Sequence, residues 1–265
     1  MKVAAIQMVS ATAPEVNCLA AESLIQQAAE QGAQCIVLPE YWPLMGKRDT
    51  DKLTIAEPFG DGPLQQWMSE KARQHRIWLV GGTIPLVSPD DGKVFNSTLV
   101  YGPDGAVQAR YDKIHLFGFQ KEQESYEESR TITAGTQPVS FSAGDLRIGL
   151  SICYDVRFPE LYRAMGACDL LLVPAAFTYT TGQAHWEILL RTRAVENQCY
   201  VLACGQGGLH ENGRRTWGHS MLIDPWGKII DVLPEGEGIV SGILDTALIA
   251  DIRASLPALN HRKLR

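Results

Sequence analysis

Short continuous apolar runs alternate with helical stripes along the chain, a pattern typical of an α/β fold whose strands are buried on both faces. In the first half, the apolar runs predict strands at residues 2–9, 35–40 and 77–86 and a hairpin at 94–113. Apolar residues at helical spacing predict helices at residues 15–34 and 63–75. A polar loop at 119–137 then separates this half from the rest of the chain.

The second half repeats this plan. Its apolar runs and helical stripes predict strands at 147–153, 169–177 and 200–206, a hairpin at 217–233, and helices at 159–166 and 183–198. Two local matches support the repeat: GAQCIVLPE resembles GACDLLLVPA, and VYGPDGAV resembles LIDPWGKI. We therefore predict two similar β-rich halves, with helices outside and two sheets face to face. A chance likeness between short α/β units is the alternative interpretation.

The composition indicates an ordinary globular protein. Of the 265 residues, 45% are hydrophobic and 20% are charged, and we expect one domain spanning 1–265. The net charge of −6 argues against a nucleic-acid or anionic-membrane partner, because such partners require a basic face. The first apolar run is too short for a signal peptide, and no run approaches the length of a membrane span. We therefore expect a cytoplasmic protein.

The cysteines form neither a CxxC pair nor a Cys/His spacing suited to zinc. In a reducing cytosol we expect free thiols that mostly pack as small apolar residues. Cys153 differs because it lies where a predicted strand ends and a helix begins, with Pro159 suited to the first helical turn. Such a turn exposes a side chain beside backbone N–H groups, which lowers a thiol pKa and stabilises an oxyanion. Cys153 is therefore a candidate nucleophile, with a buried structural cysteine as the alternative.

Two charged residues also lie where predicted strands end. Glu40 follows the run CIVLP, and a carboxylate at the end of a buried strand is costly without a partner or a task. Lys113 follows the second arm of the first hairpin, in the stretch YDKIHLF. Taken singly, Glu40 is interpreted as a loop residue and Lys113 as a solvated surface lysine.

Together, the stretches VLPE, YDKIHLF and GLSICYDVRFPE resemble the nitrilase superfamily of carbon–nitrogen hydrolases, and the resemblance extends over essentially the whole chain. It implies a four-layer α-β-β-α sandwich with two pseudo-symmetric halves, usually assembled as a homodimer. It also implies a Glu-Lys-Cys triad, which in this chain is Glu40, Lys113 and Cys153.

The resemblance implies that this triad hydrolyses an amide through a thioester. Glu40 takes the proton of Cys153, and the thiolate attacks the amide carbonyl carbon. Lys113 and the backbone N–H of Tyr154 bind the oxyanion. Glu40 then protonates the leaving ammonia or amine and activates the water that hydrolyses the thioester. No metal or cofactor is required.

A second acid often joins this site in the family. Its match is Glu128 in YEES, which would orient the lysine or the water. Three other glutamates crowd the same loop, namely Glu122, Glu124 and Glu127. A solvated acidic loop is therefore the alternative interpretation of Glu128.

The stretches GQAHWEILLRTRAVENQCYVLACGQGG, GHSMLIDPWG and SLPALNHRK resemble the amidase branch that acts on small α-keto acid amides. By that resemblance Arg157 would bind a substrate carboxylate, and Phe177 and Thr181 would line the pocket. An internal ion pair with Asp155 or Glu160 is the alternative for Arg157. The implied substrate is deaminated glutathione, the α-keto form of glutathione, split into α-ketoglutarate and cysteinylglycine in metabolite repair. The alternative substrate is α-ketoglutaramate.

Other functions stay open at this point. Another aliphatic amidase or an N-carbamoyl hydrolase of the superfamily would use the same triad. A Cys–His hydrolase would instead use His115 or His185 as its base. A catalytically silent interaction module would keep the fold and lack the reaction.

Overall fold

The structure is a computed structural model and describes residues 1–121 and 124–264. The strands of the first half are β1 (Lys2–Gln7), β2 (Cys35–Val37), β3 (Trp78–Val80), β4 (Ile84–Val87), β5 (Val94–Tyr101) and β6 (Val107–Asp112). They are followed by β7 (Gly118–Lys121), β8 (Glu124–Glu127), β9 (Ser140–Ala143), β10 (Leu146–Leu150), β11 (Leu170–Ala175), β12 (Tyr200–Gly205), β13 (Ser220–Ile223), β14 (Ile229–Leu233) and β15 (Gly238–Ile243). The α-helices are α1 (Pro14–Glu30), α2 (Pro63–His75), α3 (Pro159–Ala164), α4 (Tyr179–Asn197), α5 (Thr246–Ser255) and α6 (Ala258–His261).

The two large sheets have equivalent centres. The strand order in the first sheet is β15-β1-β2-β3-β5-β4, and β6 pairs with β5. The order in the second sheet is β14-β13-β12-β11-β10-β9. Each sheet has three adjacent parallel strands, β1-β2-β3 and β10-β11-β12, with antiparallel strands on both sides. The two halves therefore share one plan, as the sequence repeat predicts.

The alternation of side chains along the strands explains why the sheets lie face to face. In β1, Val3 and Ala5 belong to the core between the sheets, whereas Ala4 and Ile6 pack with α1 and α2. Because both faces are covered, the strand appears in the sequence as a continuous apolar run. On the other side, Trp186 of α4 packs onto the second sheet. The resulting layers form the α-β-β-α sandwich that the family resemblance implies.

Several elements differ from the sequence-based expectation, among them the polar loop and the start of α4. The polar loop at 119–137 contains the β7–β8 hairpin, in which Phe119 lies opposite Tyr126. A cross-strand aromatic pair stabilises a hairpin that polarity alone would not predict. Helix α4 begins four residues earlier than predicted because Thr178 caps it, accepting a hydrogen bond from the N–H of Thr181. No helix in the described part of the chain combines the length and apolarity needed to cross a bilayer.

Candidate active site

Strand ends from both halves of the fold meet at one cavity. Glu40 follows β2, Lys113 follows β6 and Cys153 follows β10 by a few residues. Glu40, Cys153 and Glu128 line this cavity together. The structure therefore assembles residues that are far apart in the sequence. Glu40 and Cys153 lie beyond the carboxyl ends of parallel strands, where α/β folds place their ligand sites, and Lys113 joins them from the antiparallel strand β6. We call this space the thiol cavity.

The Glu40 carboxylate is buried and held by three donors. Its Oε1 accepts from Lys113 Nζ at 2.8 Å and from Asn96 Nδ2 at 2.9 Å. Its Oε2 accepts from the backbone N–H of Ala176, the residue after β11, at 2.8 Å. These bonds satisfy a carboxylate that is only 1% exposed. An acid from the first half is thus oriented by a backbone donor from the second half.

Lys113 is a fully buried cation between two carboxylates. Its Nζ lies 2.8 Å from Oε1 of Glu40 and 2.8 Å from Oε2 of Glu128. Burial alone would lower the pKa of Lys113, but the charges of Glu128 and Glu40 outweigh it and raise that pKa far above its usual value. Burial likewise opposes ionisation of Glu128, yet Lys113 lowers the pKa of this carboxyl. We call Glu40, Lys113 and Glu128 the floor cluster.

The loop that carries Glu128 places its glutamates in different environments. Glu128 also accepts hydrogen bonds from the hydroxyl of Tyr41 and from the N–H of Phe117, both at 2.7 Å. Glu127 is half-exposed and pairs with Arg130 on the surface. The other two candidates, Glu122 and the side chain of Glu124, lie outside the described residues. Among the described glutamates of this loop, the one that reaches Lys113 is Glu128.

Cys153 occupies a strained backbone position. Its φ is +50°, in the left-handed region that disfavours residues other than glycine. A 3-10 turn runs from Cys153 to Arg157, and Pro159 begins α3, as predicted. In a turn of this kind the N–H of Tyr154 lies in the first turn and has no acceptor within the helix, so it remains available to an oxyanion.

The pKa of the Cys153 thiol differs from the sequence-based expectation. Burial, followed by the charge of Glu40, raises this pKa well above the usual thiol value, and Lys113 opposes the change. The prediction of a lowered pKa is therefore wrong. The physical reason is that the thiol is enclosed and faces two carboxylates as well as one cation. At neutral pH the resting side chain is a thiol and not a thiolate.

Asp155 fixes the Cys153 turn to the Lys113 segment. Its Oδ2 accepts from the hydroxyl of Tyr111 at 2.7 Å and from the N–H of Ile152 at 2.9 Å. Its Oδ1 accepts from the N–H of His115 at 3.0 Å and lies 2.7 Å from Nδ1 of the same ring. Asp155 therefore has a positioning role in the turn and does not pair with Arg157.

The predicted substrate-binding residues lie on one wall of the site. Phe177 and Thr181 line the thiol cavity with Tyr154. The Arg157 guanidinium stands over the rings of Phe177 and Tyr154, at 5.3 and 5.7 Å from their centroids. Within residues 1–121 and 124–264, Arg157 makes no ion pair with a carboxylate. The internal pair with Asp155 or Glu160 is therefore not formed, and the guanidinium is free to bind an anion.

The two candidate histidine bases lie elsewhere. His115 stacks on Phe158 with ring centroids 3.7 Å apart, and its Nδ1 faces Asp155. His185 lies 3.4 Å from the guanidinium of Arg157. Neither ring lines the thiol cavity. The geometry therefore favours the carboxylate of Glu40 over a histidine as the base.

Sequence reasoning missed several contributors to the site. Asn96 had a recognisable signal, because an amide inside the apolar strand β5 needs a buried partner. Tyr41 and the N–H of Ala176 had no recognisable signal in the sequence, because a single hydroxyl and a backbone group produce no sequence pattern. Arg214, which also lines the thiol cavity, comes from a polar loop that is indistinguishable from surface sequence.

Comparison with known proteins adds to this geometry. A family model described as carbon–nitrogen hydrolase matches residues 2–254. The deaminated glutathione amidase of Synechocystis is 40% identical over 265 residues, which cover 98% of this chain and 97% of that protein. The human omega-amidase NIT2 is 38% identical over 267 residues, covering 99% of this chain and 95% of that protein. The crystal structure of Nit3 from Saccharomyces cerevisiae, a member of branch 10 of the nitrilase superfamily, matches with a TM-score of 0.86 and 30% identity, covering 97% of this chain and 94% of that chain.

Proposed function

The chain belongs to the carbon–nitrogen hydrolase family, and from this premise we propose that it hydrolyses an amide of a small α-keto acid through a thioester on Cys153. The observation that carries the proposal is the floor cluster, which places a buried carboxylate and a buried ammonium beside the Cys153 thiol. A carboxylate, a cation and a thiol in one enclosed cavity are the groups that acyl transfer needs.

The first half of the reaction forms the thioester. Because the resting thiol is protonated, Glu40 accepts its proton as Sγ attacks the amide carbonyl carbon. The negative charge that develops on the carbonyl oxygen is stabilised by the Lys113 ammonium and the N–H of Tyr154. Glu40 then returns the proton to the leaving nitrogen, the C–N bond breaks, and the amine departs. The acyl group remains on Cys153.

The second half hydrolyses the thioester. Water enters where the amine has left, Glu40 accepts one of its protons, and the oxygen attacks the thioester carbonyl carbon. Collapse of the tetrahedral intermediate breaks the C–S bond, and the proton on Glu40 returns to the sulfur. Glu128 keeps Lys113 charged and oriented during both steps, because its carboxylate accepts a hydrogen bond from the ammonium.

We propose deaminated glutathione as the substrate, with α-ketoglutarate and cysteinylglycine as products. The proposal is supported by the Synechocystis relative that carries this activity in its name. It is also supported by Arg157, a cation without a carboxylate partner among the described residues that stands over Phe177 at the thiol cavity. A guanidinium in this position suits the carboxylate of an α-keto acid.

The second candidate substrate is α-ketoglutaramate. The similarity to human omega-amidase NIT2, at 38% identity, favours it almost as strongly. The two substrates share the acyl half, and they differ in the leaving group, which is a dipeptide in one and ammonia in the other. Residues that contact the acyl half therefore do not discriminate between them.

The test is the release of α-ketoglutarate from both amides, measured side by side with Cys153→Ala as the control. We expect faster release from deaminated glutathione and none from the variant. A preference for α-ketoglutaramate would replace the substrate and keep the mechanism. Release from neither amide would refute the substrate class.

We further propose that the enzyme works in metabolite repair as a cytoplasmic homodimer. The six unpaired thiols support a reducing compartment. Ile188 and Val195 of α4 and Trp226 are exposed around one groove, and a second copy of the chain would cover them. Analytical ultracentrifugation should give twice the chain mass, and Ile188→Glu should shift it towards the monomer.

A further inference from the structure

Arg214 lies between the thiol cavity and a second cavity that opens beside it. Both cavities are lined by Phe117, Glu128 and Arg214. We call the second one the side cavity; Tyr41, Lys52 and Tyr126 line it as well. A side chain at this junction is placed to contact whatever part of a substrate extends beyond Cys153.

The hydrogen-bonding capacity of Arg214 is largely unused. Its Nε is buried and has no hydrogen-bond partner. One terminal nitrogen lies 3.5 Å from the carbonyl oxygen of Ala176 and the other lies 3.9 Å from the sulfur of Met45, which are weak contacts, and the guanidinium stands over the Tyr126 ring at 5.1 Å. Within the described chain it makes no ion pair. A buried donor without a partner is unfavourable, so this arrangement is suited to an acceptor that arrives with a ligand.

A second cation faces the same space. Lys52 Nζ donates a hydrogen bond to Thr131 Oγ1 at 3.1 Å and stands over the ring of Tyr41 at 5.5 Å. It too has no carboxylate within ion-pair distance among the described residues. Burial lowers the pKa of Lys52; the charges of Glu128 and Asp49 oppose this change, and those of Lys113 and Arg214 add to it. Lys52 and Arg214 line the same side cavity, so an anion bound there would be attracted by both charges.

The charged side chains that line the side cavity differ in whether they have a partner. Glu127 is paired with Arg130 and Arg48 with Asp51, whereas Glu128 shares the single charge of Lys113 with Glu40.

Among the described residues, the lining groups without an ion pair are the cations Lys52 and Arg214 and the carboxylate of Asp49. Asp49 is exposed, so water screens it more strongly than it screens the half-buried cations.

The sizes of the two cavities also favour binding of the leaving group beside Arg214. The thiol cavity has a volume of about 10 Å³, which is room for one water, whereas the side cavity has about 60 Å³. The acyl half of the substrate is attacked at Cys153 and has Arg157 for its carboxylate. The larger space beside Arg214 is then left for the group that departs.

We infer that Arg214, assisted by Lys52, binds the terminal carboxylate of the leaving group and so selects amides whose amine is a peptide with a free terminal carboxylate over amides of ammonia. The inference rests on the proposed function, and it names the residue that discriminates between the two candidate substrates. Deaminated glutathione carries two carboxylates, one on each side of the scissile bond, and the site has cations on two different walls. α-Ketoglutaramate has only the acyl carboxylate, and its ammonia makes no contact with Arg214.

The test compares Arg214→Met with the wild-type enzyme on both amides. We expect kcat/KM for deaminated glutathione to fall about 10- to 100-fold, mostly through KM, because a charge-assisted hydrogen bond to the substrate is lost. The value for α-ketoglutaramate should change less than about twofold. Arg214→Lys should recover part of the lost activity. An equal loss on both amides, or no loss on deaminated glutathione, would overturn the inference.

Two controls make the comparison specific. Arg215→Met removes the same charge from the neighbouring residue, whose guanidinium pairs with Glu235 and stacks on Tyr179; it should leave both rates unchanged. Deaminated glutathione with a C-terminal carboxamide should react more slowly than the acid in the wild type. Arg214→Met should not slow hydrolysis of this carboxamide any further, because the carboxamide already lacks the carboxylate that Arg214 would bind.

A binding measurement separates this inference from the proposed function. Titration calorimetry on Cys153→Ala, with and without Arg214→Met, follows deaminated glutathione without turnover. If the double variant binds deaminated glutathione more weakly than Cys153→Ala does, but binds its C-terminal carboxamide equally well, the inference is supported. This holds even if the wild-type enzyme hydrolyses neither amide. Equal binding of the acid by both proteins overturns it, whatever the turnover result.

Discussion

The floor cluster and the outer cations of the site, Lys52, Arg157 and Arg214, differ in how their charges are satisfied. In the floor cluster each charge is buried and has an opposite charge within 3 Å. The outer cations are half-buried and have no carboxylate partner in the described chain. Their guanidinium and ammonium groups stand over aromatic rings instead.

This difference separates chemistry from recognition. A charge that is already neutralised and hydrogen-bonded keeps its geometry and can accept or stabilise charge at a fixed atom, but it attracts a ligand only weakly. An unpaired cation on an aromatic face is held in place by the ring and still has its charge and donors available. Substitutions in the floor cluster should therefore act on kcat and on folding, and substitutions of the outer cations should act on KM.

Glu40→Gln should have the largest effect on activity. The amide keeps the shape of the side chain and can still accept from the N–H of Ala176, but it cannot accept the thiol proton. We expect kcat to fall about 10²- to 10⁴-fold with little change in KM. Rapid-quench measurement of thioester formation checks this, with Glu30→Gln, at an exposed acid of α1, as a control that keeps full activity. Acylation at the wild-type rate in Glu40→Gln would point to a different base.

Lys113→Met should have the largest effect on stability. It leaves two buried carboxylates without their cation, and breaking a buried ion pair from one side costs about 3–5 kcal/mol. Urea unfolding at pH 7 measures the change. Arg130→Met removes the exposed pair with Glu127 and should cost at most about 1 kcal/mol. If the two losses are similar, the floor cluster does not have the electrostatic role assigned to it here.

Arg157→Met should raise KM about 10- to 100-fold for deaminated glutathione and α-ketoglutaramate alike, because both share the acyl carboxylate. Steady-state kinetics on the two amides measures it. The result would distinguish the two arginines among the outer cations, because Arg214→Met is expected to affect one amide only. If Arg157→Met raised KM for deaminated glutathione alone, Arg157 rather than Arg214 would be the residue that binds the leaving-group carboxylate.

The ionisation of Glu128 should make a pH-dependent contribution to stability that is smaller than the loss expected for Lys113→Met. Although burial opposes it, Lys113 lowers the folded-state pKa of Glu128 below the usual value of 4.5. Its ionisation therefore stabilises the folded state above pH 4.5, and this contribution is lost as the pH falls through the folded pKa. The free energy of unfolding of Glu128→Gln, from urea titrations, should decline less steeply with acid than that of the wild type. Glu127→Gln should keep the wild-type slope.

Much of the fold was predictable because its strands and helices are strongly patterned. The parallel strands β2 and β11 are buried on both faces and appear as uninterrupted apolar runs. Strand β15 escaped the sequence analysis, because GIVSGI has glycines and a serine in place of a regular pattern. It forms by pairing with β1, more than 200 residues away, and that pairing is tertiary.

The sequence by itself determined that Glu40 and Cys153 follow buried apolar runs, which is a local signal, and the resemblance of three stretches to the nitrilase superfamily made them and Lys113 the candidates. Tertiary structure alone decided what surrounds them. The Ala176 N–H on Glu40, the raised pKa of Cys153 and the unpaired Arg214 all depend on segments brought together from both halves. Burial and charge act between residues that are distant in the sequence. Local sequence therefore indicates neither that the Cys153 thiol stays protonated nor that Arg214 lacks an ion-pair partner.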